Sequence, residues 1–176
     1  VYPVRYPAKR YFKFLAGARG NGERPGIVVK ITADNGTVGW GQSVPVPTWS
    51  YETMETALVV LRKNFAPALI GHDARDIESA HRRMDGALAE GFSTGMPITR
   101  AGVDIALYDL RAKLDGVSLA ELWGRTAGNK LTMSWTVNAR SIDEAEEIIA
   151  EGQRAGYTNF NVKIGGDLAS DLRLVR

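Results

Sequence analysis

The residues with the clearest chemical potential stand in the run NFNVK, residues 159–163, which stops at two glycines. Side chains alternate across a strand, so Asn161 and Lys163 share one side of it if this run is β. A lysine at the end of a strand serves either as a solvated charge or, with its amine deprotonated, as a catalytic base. An ordinary lysine, with a pKa of about 10.4, is protonated at neutral pH. Only desolvation or nearby positive charge brings it toward ~7–8, where it becomes a useful base. Position alone does not choose between these roles. Other chemistries are narrower. The chain has no cysteine, which removes disulfides, thiol nucleophiles and thiolate metal sites, and its two histidines, His72 and His81, fit no metal-ligand spacing. Any bound metal would therefore be held by carboxylates.

Composition sets the frame around that lysine. The 176 residues are 44% hydrophobic and 24% charged, an ordinary globular balance. Lys and Arg number 22 against 20 Asp and Glu, and the basic residues are scattered, which argues against nucleic acid as a partner. No apolar run approaches the roughly 20 residues of a membrane span, and no charged-then-apolar leader opens the chain. A cytoplasmic protein with no membrane partner is the expectation. The sequence begins at Val1, inside a strand-like run, and closes on DLASDLRLVR, which reads as the first turns of a helix without a stop signal. A piece of a longer chain is expected.

The elements that would position Lys163 are legible from pattern. RPGIVVKITA, DNGT and VGWGQS read as a hairpin turning at Asn35-Gly36, whose positive φ angles suit a tight turn. YPAKRYFKFL alternates well enough for a third antiparallel strand. Glycine-rich residues 15–25 and proline-rich residues 43–50 read as loops. Three helices are expected next. Met54, Leu58, Leu61 and Phe65 mark the face of the first, which Pro67 ends. Ile77, Ala80, Met84 and Leu88 mark the second. The third runs over ITRAGVDIALYDLRAKLDG to a stop at Gly116. His81 reads as a solvated surface residue. Ser118 with Glu121, and Ser141 with Glu144, have capping-box spacing. After residues 124–130 the rhythm changes to strand 131–137, a helix from Ser141, strand 159–163 and a further helix, the βα alternation of a parallel sheet or barrel. The chain thus divides into an α+β domain, 1–127, and the start of an α/β domain, 128–176.

AGVDIALYDLRAKLDGVSLAELWG, residues 101–124, resembles the signature segment of the mandelate racemase and muconate lactonizing enzyme group of the enolase superfamily. The pattern is met at Ala101, Gly102, Val103, Asp104, Ala106, Asp109, Lys113, Leu122 and Gly124. Thr99 stands where alanine is more usual. The likeness extends over nearly the whole chain and takes in DNGTVGWGQS as the group's hairpin. It implies a capping domain, a three-stranded antiparallel sheet with a helical bundle, followed by the first βα units of a modified TIM barrel that continues beyond these residues.

The resemblance also implies roles. The group carries Lys-x-Lys at the end of the second barrel strand, and Lys163 falls on the second lysine, a base acting on the substrate's α-carbon. Asn161 replaces the first, so the second cation is missing; either the bound metal does part of its work, or Asn161 hydrogen-bonds a polar substrate while other groups tune Lys163. Mg2+ is implied as cofactor, with ligands at the ends of the third, fourth and fifth barrel strands, beyond residue 176. No metal ligand is assigned among these residues; Asp167 and Asp171 have only their charge to suggest one. Loops 15–25 and 43–50 are implied to close over the barrel mouth, with Arg19, Arg24 and Trp49 meeting substrate. Parity puts Trp135 and Val137 on one strand face, expected to be inward, with Trp135 as a further substrate contact. The implied reaction is metal-assisted proton abstraction α to a carboxylate, on a small-molecule carboxylate or acid sugar and in a homo-oligomer. An acid-sugar dehydratase is the first expectation and a racemase, epimerase or cycloisomerase the second. A non-catalytic assembly protein on the same fold is the alternative from another class.

Overall fold

The structure, a computed structural model, describes residues 1–7, 23–91, 95–126, 128, 130–139, 141–165 and 167–175. They separate into two compact units, one ending at residue 126 and one beginning at Gly128.

In the first unit β1 (Tyr2–Pro7), β2 (Glu23–Thr32) and β3 (Val38–Ser43) form an antiparallel sheet in chain order. The hairpin between β2 and β3 turns as expected, but by a different device. Only Gly36 adopts a positive φ, 85°, after a turn in which its N–H donates to the Ala33 carbonyl. The Asn35 side chain accepts from the Thr37 N–H instead, so one glycine supplies the left-handed residue that a short loop of this kind needs. The expected 15–25 loop is cut short at its far end. Arg24 lies inside β2, in register with Tyr6, because the β1–β2 ladder runs on to Pro7 and Glu23. Arg19 lies outside the described residues.

Helix α1 (Met54–Val60) does not stop at Pro67. It widens into a π-helical stretch, Leu61–Phe65, and continues as α2 (Ala66–Leu69). The Ala66 N–H donates to the Leu61 carbonyl, five residues back. Proline has no N–H and its ring crowds the carbonyl four residues before it, so widening lets the helix pass where a regular α-turn would break. Helix α3 (Ile77–Ala87) buries Ile77, Ala80 and Met84 on one face, as their spacing implies. Helix α4 (Pro97–Asp115) ends on Gly116 at φ 66°, and α5 (Leu119–Leu122) starts from a complete Ser118–Glu121 capping box. The core gathers Ile27 and Val29 from the sheet with Leu61, Phe65, Met84, Val103 and Leu107 from the helices. Burying each large apolar side chain contributes about 1.5–3 kcal/mol.

Three arrangements explain the signature segment. First, α4 lies on β3 at backbone distance: a Cβ on Gly41 would stand 2.0 Å from the Gly102 carbonyl oxygen, and one on Gly39 would stand 2.2 Å from that of Ala106. The small residues at 39, 41, 102 and 106 are what permit this approach. Second, Asp109 and Lys113 close the outer edge of β3. The Trp40 N–H donates to Asp109 Oδ2 at 2.8 Å, and Lys113 Nζ donates to the Val38 carbonyl at 3.0 Å and to Asp109 at 2.7 Å. Strand groups that would otherwise be open to water or another chain are satisfied this way. Burial pushes the Asp109 carboxyl upward, but the hydrogen bonds from Lys113 and the Trp40 N–H, with the charge of Lys113, outweigh it and leave the group below its ordinary value.

Third, the start of α4 is capped from a distance. Glu52, fully buried, accepts from the Ile98 N–H at 2.8 Å and from the Thr99 N–H and hydroxyl at 2.7 and 2.6 Å. The Met96 N–H donates to the Tyr51 hydroxyl. A helix begins with unpaired N–H groups and partial positive charge, and a buried carboxylate answers both. His81, expected to be solvated, keeps a partly exposed side chain and also pairs with Asp104 Oδ1 at 2.7 Å, tying α3 to α4.

The second unit alternates as anticipated: β4 (Ser134–Val137), α6 (Ile142–Arg154), β5 (Asn159–Val162) and α7 (Leu168–Leu174), with the two strands parallel. The first strand starts three residues later than position 131. Ser141 caps α6 by accepting from the Glu144 N–H. Among the described residues no helix of either unit is long and apolar enough to cross a membrane.

Candidate active site

The parallel pair β4 and β5 has one face toward α6 and one away from it. In register are Ser134 with Asn159, Trp135 with Phe160, Thr136 with Asn161 and Val137 with Val162. Gly152 of α6 identifies the covered face, since a Cβ there would stand 2.7 Å from Trp135 Cδ1 and 2.8 Å from Phe160 Cε1. The glycine makes room for the indole, which also meets the Tyr157 ring at 4.8 Å between centroids. Val137 is buried on the same side. Trp135 and Val137 therefore share a face, as parity requires, but it is the helix-covered one. Trp135 packs the strand against α6 and is not a wall of the opposite face, where a substrate contact was expected of it.

The opposite face carries Ser134, Thr136, Asn159 and Asn161, all exposed. Lys163 stands one residue past β5, yet its N–H still donates to the Val137 carbonyl at 2.8 Å, so the ladder holds its backbone. Alternation puts it on the Asn161 face, half-buried. Neither the Asn161 carboxamide nor the Lys163 amine has a hydrogen-bond or ion-pair partner among the described residues. Thr136 was missed at the level of sequence. The same parity that joins Trp135 to Val137 sets Thr136 on the other side, but its partnership with Asn161 needs the register between strands.

The chain turns sharply after Lys163. Gly165 takes φ 119°, a conformation open to glycine, and its N–H donates to Asp171 Oδ2 at 2.9 Å. Asp167 caps α7, accepting from the Ser170 N–H at 2.9 Å. Both carboxylates are engaged with the turn. No group of three His, Asp or Glu side chains suited to a metal stands among the described residues, so these residues do not by themselves fit a divalent cation.

The other expected contacts lie in the first unit. Arg24 is half-buried on β2. Trp49 is exposed in a turn after β3, its N–H donating to the Val46 carbonyl. That turn is held at its far end by Tyr51 and Glu52.

Known proteins match this fold and sequence together. Residues 12–124 match the model of the mandelate racemase / muconate lactonizing enzyme N-terminal domain. A chloromuconate cycloisomerase of Cupriavidus necator is 39% identical over 157 residues, covering 85% of this chain and 40% of that protein. The crystal structure of the N-succinyl Arg/Lys racemase from Bacillus cereus superposes with a TM-score of 0.88 at 26% identity, over 99% of this chain and 45% of that one. A member of the enolase superfamily from Roseovarius nubinhibens, complexed with magnesium, shares the fold at a TM-score of 0.82 and 23% identity, over 99% of this chain and 46% of that one. Further relatives bear the names of an L-amino acid-D/L-Glu epimerase and of a cis-3-hydroxy-L-proline dehydratase. The chain spans less than half the length of these proteins. With its capping sheet, its signature helix and its parallel βα units, the chain belongs to the mandelate racemase/muconate lactonizing enzyme family of the enolase superfamily.

Proposed function

We propose that the full-length protein is an enzyme that transfers a proton to or from the carbon α to a carboxylate, with Lys163 as the proton-transfer group. The observation that carries this reading is the placement of Lys163. Its backbone closes the C-terminal end of a parallel ladder, on the strand face away from the covering helix. Catalytic groups of βα barrels are expected at strand C-terminal ends. Residues 128–176 are read as the opening of that barrel. Thr136 and Asn161 would meet the substrate beside the lysine, offering a hydroxyl and a carboxamide but no second cation.

Magnesium is the ion proposed for the full-length protein, on the strength of the superfamily member complexed with it. It would be held by residues outside those described here and would stabilise negative charge developing on the substrate carboxylate. Arg24 and Trp49 are retained as proposed substrate contacts.

For the substrate, the identity to a chloromuconate cycloisomerase favours an unsaturated dicarboxylate as the first to test. A racemase of an N-succinylated amino acid is the second reading, favoured by the high TM-score of that structure. An acid sugar is not named among these relatives. The test is turnover of 2-chloromuconate, N-succinyl-L-arginine and cis-3-hydroxy-L-proline by the full-length protein, with magnesium and with a chelator. Magnesium-dependent conversion of one probe is the expected result. No α-proton exchange in the latter two probes and no solvent deuterium at the α-carbon of the cyclised product of 2-chloromuconate would contradict the reading.

A further inference from the structure

We infer that Asp171 is a positioning residue for Lys163, an inference that rests on reading Lys163 as the proton-transfer group. Lys163 is the last residue held by the β4–β5 ladder, through its N–H to the Val137 carbonyl. Beyond it the chain turns. Ile164 is exposed, and Gly165 sits at φ 119° with no side chain to pack. One fixed point is the Gly165 N–H, which donates to Asp171 Oδ2 at 2.9 Å across six residues. Asp171 is itself held within α7, where its N–H donates to the Asp167 carbonyl, and Asp167 caps that helix at the Ser170 N–H. Lys163 is thus gripped on both sides, by the ladder at its own N–H and by the Asp171 carboxylate two residues later. Loss of the second grip leaves the ladder intact but frees the peptide units that set the direction of the Lys163 Cα–Cβ bond. A misplacement on the order of 1 Å in a reacting group can cost about a hundredfold in rate.

The test compares Asp171→Ala and Asp171→Asn in the full-length protein with magnesium, using whichever of the three probes turns over and Lys163→Met alongside. The alanine variant is expected to lose about ten- to a hundredfold in kcat with KM nearly unchanged. The asparagine variant removes the charge but keeps an acceptor for the Gly165 N–H, and should hold kcat within about threefold, since it keeps the contact that fixes the geometry. Hydrogen exchange over residues 163–171 should speed up with alanine and not with asparagine; this readout needs no substrate. A purely structural role would lower thermal stability and leave the kcat of the folded enzyme alone. If the alanine variant does not fold, Asp171→Glu keeps the charge and displaces the acceptor by one methylene, and the same fall in kcat is expected. Wild-type kcat and unchanged exchange in the alanine or glutamate variant, with Lys163→Met inactive, would overturn the positioning role and leave the reading of Lys163 standing. An active Lys163→Met variant would overturn that reading, and this inference with it.

Discussion

Gly41 of β3 and Gly102 of α4 meet backbone to backbone, with room for no side chain on either. A Cβ on Gly41 would lie 2.0 Å from the Gly102 carbonyl oxygen, and one on Gly102 would lie 2.2 Å from Ser43 Oγ and 2.9 Å from the Ser43 nitrogen. Gly41→Ala must push the helix off the strand, because the obstacle is backbone. The expected loss is about 3 kcal/mol or more, at or above the usual range for overpacking. Gly86→Ala, on the exposed side of α3 with nothing within 4 Å, should instead stabilise by about 0.5–1 kcal/mol through helix propensity. Urea unfolding of the two variants checks both signs.

Glu52 gives the second prediction. Glu52→Ala leaves the Ile98 and Thr99 N–H groups and the Thr99 hydroxyl without their acceptor in a buried place. Destabilisation of about 2–4 kcal/mol is expected, since each lost partner of a buried polar group costs about 1–3 kcal/mol and the effects overlap. Glu52→Gln, which keeps one acceptor oxygen, should lose less. Equal midpoints for wild type and alanine variant would show that the helix start needs no remote cap.

How much of the fold and site was legible in the sequence depends on distance along the chain. The Gly116 stop, the Ser118–Glu121 box and the apolar face of α3 are local, and residue type and spacing carry them. Glu52 caps a helix more than forty residues on, and nothing in TWSYETM marks one carboxylate as buried. Trp135 shows a different gap. Alternation correctly joined it to Val137, but which face the helix covers depends on Gly152 making room for the indole. Thr136 was hidden for the same reason, since register is a relation between strands. Pro67 was read by its usual effect on an α-turn, which the π-helical widening avoids.

The Asp109 clamp predicts a pH dependence. Its carboxyl lies below the ordinary aspartate value of about 3.9 in the folded state. The unfolded chain therefore takes up the proton first as pH falls. The stability contributed is complete above about pH 4 and is lost as pH falls through the folded value. Asp109→Asn should accordingly differ from wild type in unfolding free energy at pH 7, with the gap closing toward pH 3. A gap constant over that range would assign the effect to packing and not to the carboxylate's charge.

The most direct measurement is hydrogen transfer at the α-carbon in deuterated solvent, monitored by NMR in the full-length protein and its Lys163→Met variant on whichever of the three probes turns over. It is read as exchange in the two amino-acid probes or as deuterium uptake in the cyclised product of 2-chloromuconate. Methionine keeps the length and apolar stem while removing the amine. The variant should fold and bind magnesium as wild type does, and both exchange and turnover should fall by at least about a hundredfold, the low end of what a positioned acid or base contributes. Exchange and turnover persisting near wild-type rates in a folded, magnesium-loaded variant would contradict the account, leaving Lys163 as an end-of-strand charge.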